Sequence, residues 1–149
     1  MCGKCNTHIG YVIYDCLCLV LGSQEMRDRA TDADARVLAA AAEPVRDSIK
    51  SNILVIADDV SDRTEKAESV FSIVNKLYSS GCLFEVYKVW VASLPAKDAV
   101  KYTAKALKTL IASFATDGAA LLGVIIVELA TFKYLIEDSI ECKETCGYA

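Results

Sequence analysis

The sequence predicts an all-α bundle of about five helices, and three observations carry that reading. Only two prolines, Pro44 and Pro95, and seven glycines punctuate 149 residues, too few for a sandwich of short strands joined by tight turns. Apolar positions recur at steps of three and four along most of the chain, the spacing of one helix face. Capping residues precede several of those runs. The length suits a single domain, which at this size buries about 70% of its unfolded surface without a staple.

A first helix is expected over about residues 8–21, capped by Thr7 and stopped by Gly22. Ser23 can cap the next, and Thr31 with Asp34 has the spacing of a capping box before Asp32–Ala42. Pro44 then sits where a first helical turn accepts proline. From Val45 an apolar stripe runs through Ile49, Ile53, Ile56, Val60, Ala67, Val70 and Val74 to Leu77, closed by Ser79-Ser80-Gly81. Unbroken, that segment would be about 36 residues and roughly 54 Å long; Val60-Ser61-Asp62 offers a break. Cys82–Leu94 puts Leu83, Val86, Tyr87, Trp90 and Leu94 on one face, and Ala96–Ala115 has the clearest amphipathic pattern. Asp117 can cap the last helix, Gly118–Glu141, whose core stripe includes Leu122, Ile125, Leu129, Phe132 and Ile136. The two long central segments would pair antiparallel, with the apolar first and last helices inside.

A second architecture fits part of the pattern. Asn52–Asp59, Leu83–Ala92 and Leu121–Val127 are rich in β-branched residues. As strands they would form a small parallel α/β sheet, with Asp58 and Asp59 as a Mg-binding acid pair at a strand end, as in receiver domains. Glu128 and Lys133, inside the last apolar segment, suit a helix better.

The net charge is −4. An acidic chain without a cluster of basic and aromatic residues is not expected to bind nucleic acid. Hydrophobic residues make up 54% and mean hydropathy is +0.32, so either the core is large or apolar surface meets a protein partner, a lipid or another copy. The run His8–Leu21 is too short to span a bilayer and contains Asp15.

Seven cysteines cannot all pair within the chain. Cys2-Gly-Lys-Cys5 and Cys142-Lys-Glu-Thr-Cys146 lie at opposite ends. Four thiolates arranged as two short knuckles can hold Zn²⁺ tetrahedrally, with His8 as a spare ligand. The same four residues could instead crosslink the ends as disulfides, which would mean a secreted protein. They could also be unpaired surface thiols. The start shows no charged segment with a small-residue cleavage site, which favours the cytoplasm. Met1-Cys2-Gly3 resembles the start of class II glutamine amidotransferases, in which Cys2 would become an N-terminal nucleophile. That resemblance covers three residues, and the pattern that follows lacks the family's strands. Acylation of Cys2 or Cys5 would instead anchor the chain to a membrane. Cys16 and Cys18 are too far apart around a helix to share an ion, which suits one buried thiol and one at a contact.

His8 is the only histidine, so any Cys/His or Ser/His/Asp set must use it. Asp15 and Glu128 lie in apolar context, where paired carboxyls would suit acid–base chemistry. No convergent catalytic set emerges, and the chain is not expected to be an enzyme. Lys97, Lys101, Lys105 and Lys108 form one stripe opposite Val100, Leu107, Leu110, Ile111 and Phe114. Such a helix can lie on an anionic membrane, or lysine stems can shield the outside of a bundle. The leading expectation is a structural or assembly protein that self-associates, or meets a protein partner, through apolar helix faces. The alternatives are a membrane-active or lipid-binding helical protein and a receiver-like module.

Overall fold

The computed structural model describes residues 2–21, 24–102, 104–116 and 118–148, leaving aside the side chains at 2, 3, 104, 115 and 116. Among the described residues there are ten α-helices and no strand. In order they are α1 (Cys2–Leu21), α2 (Gln24–Asp28), α3 (Asp32–Ala41), α4 (Lys50–Ala57), α5 (Arg63–Ser79), α6 (Leu83–Ala92), α7 (Ala96–Ala99), α8 (Ala104–Thr116), α9 (Gly118–Leu129) and α10 (Tyr134–Cys146). A 3₁₀ turn, Glu43–Val45, with proline in its first turn joins α3 to the segment before α4. The all-α class is as the sequence predicts, while the parallel sheet is not formed. Its three proposed strands lie in α4, α6 and α9, and Asp58 and Asp59 are exposed beyond the end of α4.

The helices outnumber the expected five because tertiary contacts break three long segments. The break at residues 58–62 was readable. Asp62 caps α5, and Glu65 closes a capping box with it. Lys66, at the start of α5, donates to the carbonyls of Ile56 (2.7 Å) and Asp58 (2.6 Å), satisfying the open end of α4. At the other end, Lys76 of α5 reaches Ser48 O (2.7 Å) and Asn52 Oδ1 (2.8 Å). These crossed contacts make α4 and α5 antiparallel, one on each side of the break.

The segment 96–115 divides into α7 and α8, since the chain bends to bring Tyr102 edge-on to Trp90, with ring centroids 5.0 Å apart. The segment 118–141 divides into α9 and α10. α9 packs on α5 and α1, whereas α10 packs on α1 and α4, and one straight helix cannot follow both α5 and α4. At that bend Phe132 is buried and the Lys133 N–H donates to Gln24 Oε1 at 3.2 Å.

α1 is the centre of the fold. It begins at Cys2, so Thr7 lies inside it and does not cap it. Every residue from Val12 to Val20 is buried, under α2, α3, α5, α9 and α10. That accounts for its apolar character on all sides. Gly10 permits the closest crossing: a Cβ there would lie 1.7 Å from the Ala35 carbonyl oxygen of α3. Thr31 caps α3 through a capping box with Asp34, as predicted. The predicted caps Ser23 and Asp117 lie outside the described residues.

Candidate functional site: the α8–α9 layer

α8 and α9 form an outer layer on this core. Leu110 of α8 is buried, and Phe114 packs on Phe71 (centroids 5.1 Å apart) and stacks on Tyr78 (6.0 Å) of α5. α9 turns Leu121, Ile125 and Leu129 inward, where all three are buried. Its outer face is also apolar but uncovered: Gly123 is exposed, and Val124 and Val127 are 45% and 69% exposed.

The predicted lysine stripe is spread over three pieces of chain. Lys97 is on α7, Lys101 in the following turn, and Lys105 and Lys108 on α8. All four are exposed, and none meets a carboxylate in an ion pair among the described residues. Between Asp98 and Glu128 the sequence has three lysines and one acid, Asp117, in a chain that is acidic overall.

Between this layer and the end of α1 lies a groove of about 400 Å³, within the range typical of small-molecule sites. Val20, Leu21, Leu110 and Leu121 give it apolar walls, and Lys101 and Lys105 also line it. Its two hydroxyl groups are already engaged within α8: Thr109 donates to Lys105 O and Ser113 to Thr109 O, each at 3.0 Å. The lysine ammoniums are therefore the groove's polar groups with no such partner. Among the described residues no single helix is long and apolar enough to cross a membrane. Lys105–Phe114 and Gly118–Leu129 reach that length and composition only together, across a 107° bend.

The terminal cysteines meet at the opposite ends of α1 and α10, as their placement predicts. Cys5 and Cys146 form a disulfide, 141 residues apart in sequence. In this pairing neither sulfur is a free thiol. The Cys2 side chain lies outside those described, and among the described residues no three His, Cys, Asp or Glu side chains group as a metal set. Cys142 is a free, buried thiol whose sulfur lies 3.8 Å from that of Cys146. Cys16 and Cys18 are both fully buried, correcting the expectation that one would sit at a contact, and burial pushes both thiols well above the usual range. His8 lines a second cavity, of about 510 Å³, with Lys4, Arg36, Asp32 and Glu141. Its mixed charges do not converge on a reacting position.

Asp15 meets Asp138, an acid the sequence did not single out. Arg27 joins the two. Its Nε lies 3.0 Å from Asp15 Oδ1, and Nη2 is 3.1 Å from Asp138 Oδ2. The Asp15 contact is an ion pair by distance only, because neither of its oxygens receives an aligned hydrogen bond. The rings of Tyr11 and Tyr134 flank the guanidinium at 4.0 and 4.5 Å. Burial raises the Asp15 pKa well above 3.8, the neighbouring Asp138 carboxyl adds to the rise, and Arg27 opposes them. This cluster closes the core, with Asp15 fully buried.

The chain matches no protein-family model, no curated protein and no solved structure.

Proposed function

We propose that the protein is a lipid-binding helical protein that attaches reversibly to anionic membrane surfaces through α8 and α9. The observation that carries this is the outer face of α9: an apolar helix with one face packed and the other open, beside lysines that meet no carboxylate in an ion pair among the described residues. Covering the exposed parts of Val124 and Val127 is worth about 2–3 kcal/mol. Each lysine near an anionic surface adds about 1 kcal/mol. The total, about 6 kcal/mol, corresponds to dissociation on the order of tens of micromolar, which is peripheral attachment and not insertion. The groove between α1 and α8 would accept part of an acyl chain, with Lys101 and Lys105 for an anionic headgroup. The disulfide between the ends supports an oxidising compartment.

Co-sedimentation with phosphatidylcholine vesicles, with and without phosphatidylglycerol, tests the proposal. Binding is expected only to the anionic vesicles, fading between about 0.1 and 1 M salt as the Debye length falls from about 10 to 3 Å. Replacing Lys101 and Lys105 by Glu should abolish it. Equal binding to both vesicle types, or none to either, overturns the proposal.

Self-association is the second reading, and two further exposed apolar side chains favour it: Val37 on α3 is 50% exposed and Phe84 on α6 is 56% exposed. A dimer lost on Phe84→Ser, measured by native mass spectrometry, would support it.

A further inference from the structure

We propose that Cys5, Cys142 and Cys146 form an intramolecular thiol–disulfide exchange site, in which Cys142 attacks Cys146 and releases Cys5. Cys142 lies one helical turn before Cys146 on α10, and their sulfurs are 3.8 Å apart. Cys146 is at the same time bonded to Cys5 at the start of α1. A third thiol thus stands next to one sulfur of the only disulfide among the described residues.

The step needs no external oxidant or reductant. Cys142 loses its proton to solvent base, and its thiolate forms a bond to Cys146 Sγ. The Cys146–Cys5 bond breaks, its electron pair leaves on Cys5 Sγ, and Cys5 takes a proton from solvent. One disulfide and one thiol are present before and after. A side chain is in place to assist departure: Arg46 Nη2 donates to Cys5 Sγ at 3.5 Å. A guanidinium there stabilises the leaving thiolate, and a better leaving group speeds exchange.

The product differs from the reactant in what it ties. Cys5–Cys146 joins the beginning of α1 to the end of α10. Cys142–Cys146 spans one turn of α10 and restrains nothing else. Residues four apart on a helix hold their Cβ atoms about 5–6 Å apart, whereas a disulfide needs about 3.5–4.5 Å. The last turn of α10 must therefore loosen for exchange to occur. That favours the long-range pairing while the turn is intact and the short-range one when it frays.

Burial sets the rate. Cys142 is fully buried, which pushes its thiol up to about 12; Arg46 lowers it and Asp138 raises it. The Tyr148 hydroxyl is the other titratable group whose charge couples to it. At neutral pH few molecules carry the thiolate, so exchange should be slow and accelerate about tenfold per pH unit.

The test is a disulfide map after incubation without reductant at pH 7.5 and pH 9.5, with acid quench, alkylation and trypsin digestion. Lys143 separates Cys142 from Cys146, so the two pairings give different peptides. The expected result is Cys5–Cys146 at the start, then growth of a minor Cys142–Cys146 fraction with alkylated Cys5, about 100-fold faster at pH 9.5 and independent of protein concentration. Arg46→Met should slow that growth, and Cys142→Ser should abolish it while leaving Cys5–Cys146 in place. Absence of the Cys142–Cys146 peptide at pH 9.5, a rate that scales with concentration, or a starting protein without Cys5–Cys146 would each overturn the proposal.

Discussion

The second half of α1 and the whole of α9 are both mainly apolar, yet the fold treats them differently. In α1 the residues from Val12 to Val20 are all buried. α9 buries Leu121, Ile125 and Leu129 and leaves Val124 and Val127 open. Their single acids follow the same division: Asp15 of α1 is sealed inside with Arg27, whereas Glu128 of α9 is only half-buried. Composition states how much cover a helix wants, and packing states how much the chain itself supplies. In α1 the demand is met internally. In α9 a remainder is left over, and the proposed lipid surface meets it.

The comparison breaks most severely at Gly10. An added Cβ meets the backbone oxygen of Ala35, which cannot rotate away as a side chain would. Gly10→Ala should therefore cost more than the roughly 1–3 kcal/mol of ordinary overpacking, read as a loss of melting temperature or of the cooperative transition itself. A melting temperature within a degree or two of wild type would mean that α1 and α3 do not cross there.

Asp15 gives a smaller effect with a definite sign. Its pKa in the folded protein is raised above the unfolded carboxyl value of 3.8. Its contribution therefore favours folding below about pH 4 and is lost as pH rises towards the raised value. Over that window wild type should lose up to about 1.4 kcal/mol per pH unit relative to Asp15→Asn. Chemical denaturation of both proteins from pH 4 to pH 8 measures it. Parallel stability profiles would show that Asp15 titrates in the folded state as it does unfolded.

The smallest effect on stability belongs to α9. Val127→Ser removes no buried contact of note and should shift stability by no more than about 0.5 kcal/mol. On the proposed reading it should still weaken binding to anionic vesicles several-fold. A stability loss like that of a core valine would mean that the outer face of α9 is covered by the chain after all.

What the sequence disclosed was local. The capping box at Thr31–Asp34 and the break at Val60-Ser61-Asp62 are short-range chemistry, readable from neighbours. The terminal cysteine pairs revealed that the ends could meet, because a shared site needs only matching residue types. The choice of a disulfide depended on where α1 and α10 place their side chains. The divisions of the last two helical segments were hidden, since they follow from tertiary contacts: Tyr102 reaching back to Trp90, and Lys133 meeting Gln24, 109 residues away. Arg27 and Asp138 were hidden for the same reason, at 111 residues apart. The lysine periodicity was visible, but the turn that spreads it over α7 and α8 was not.

Hydrogen–deuterium exchange with and without anionic vesicles tests the central claim most directly. The account predicts new protection over residues 104–129, with exchange in α1 unchanged, because α1 is already covered and α9 is not. Protection confined to α3 and α6, or faster exchange in α1 on adding lipid, would contradict it.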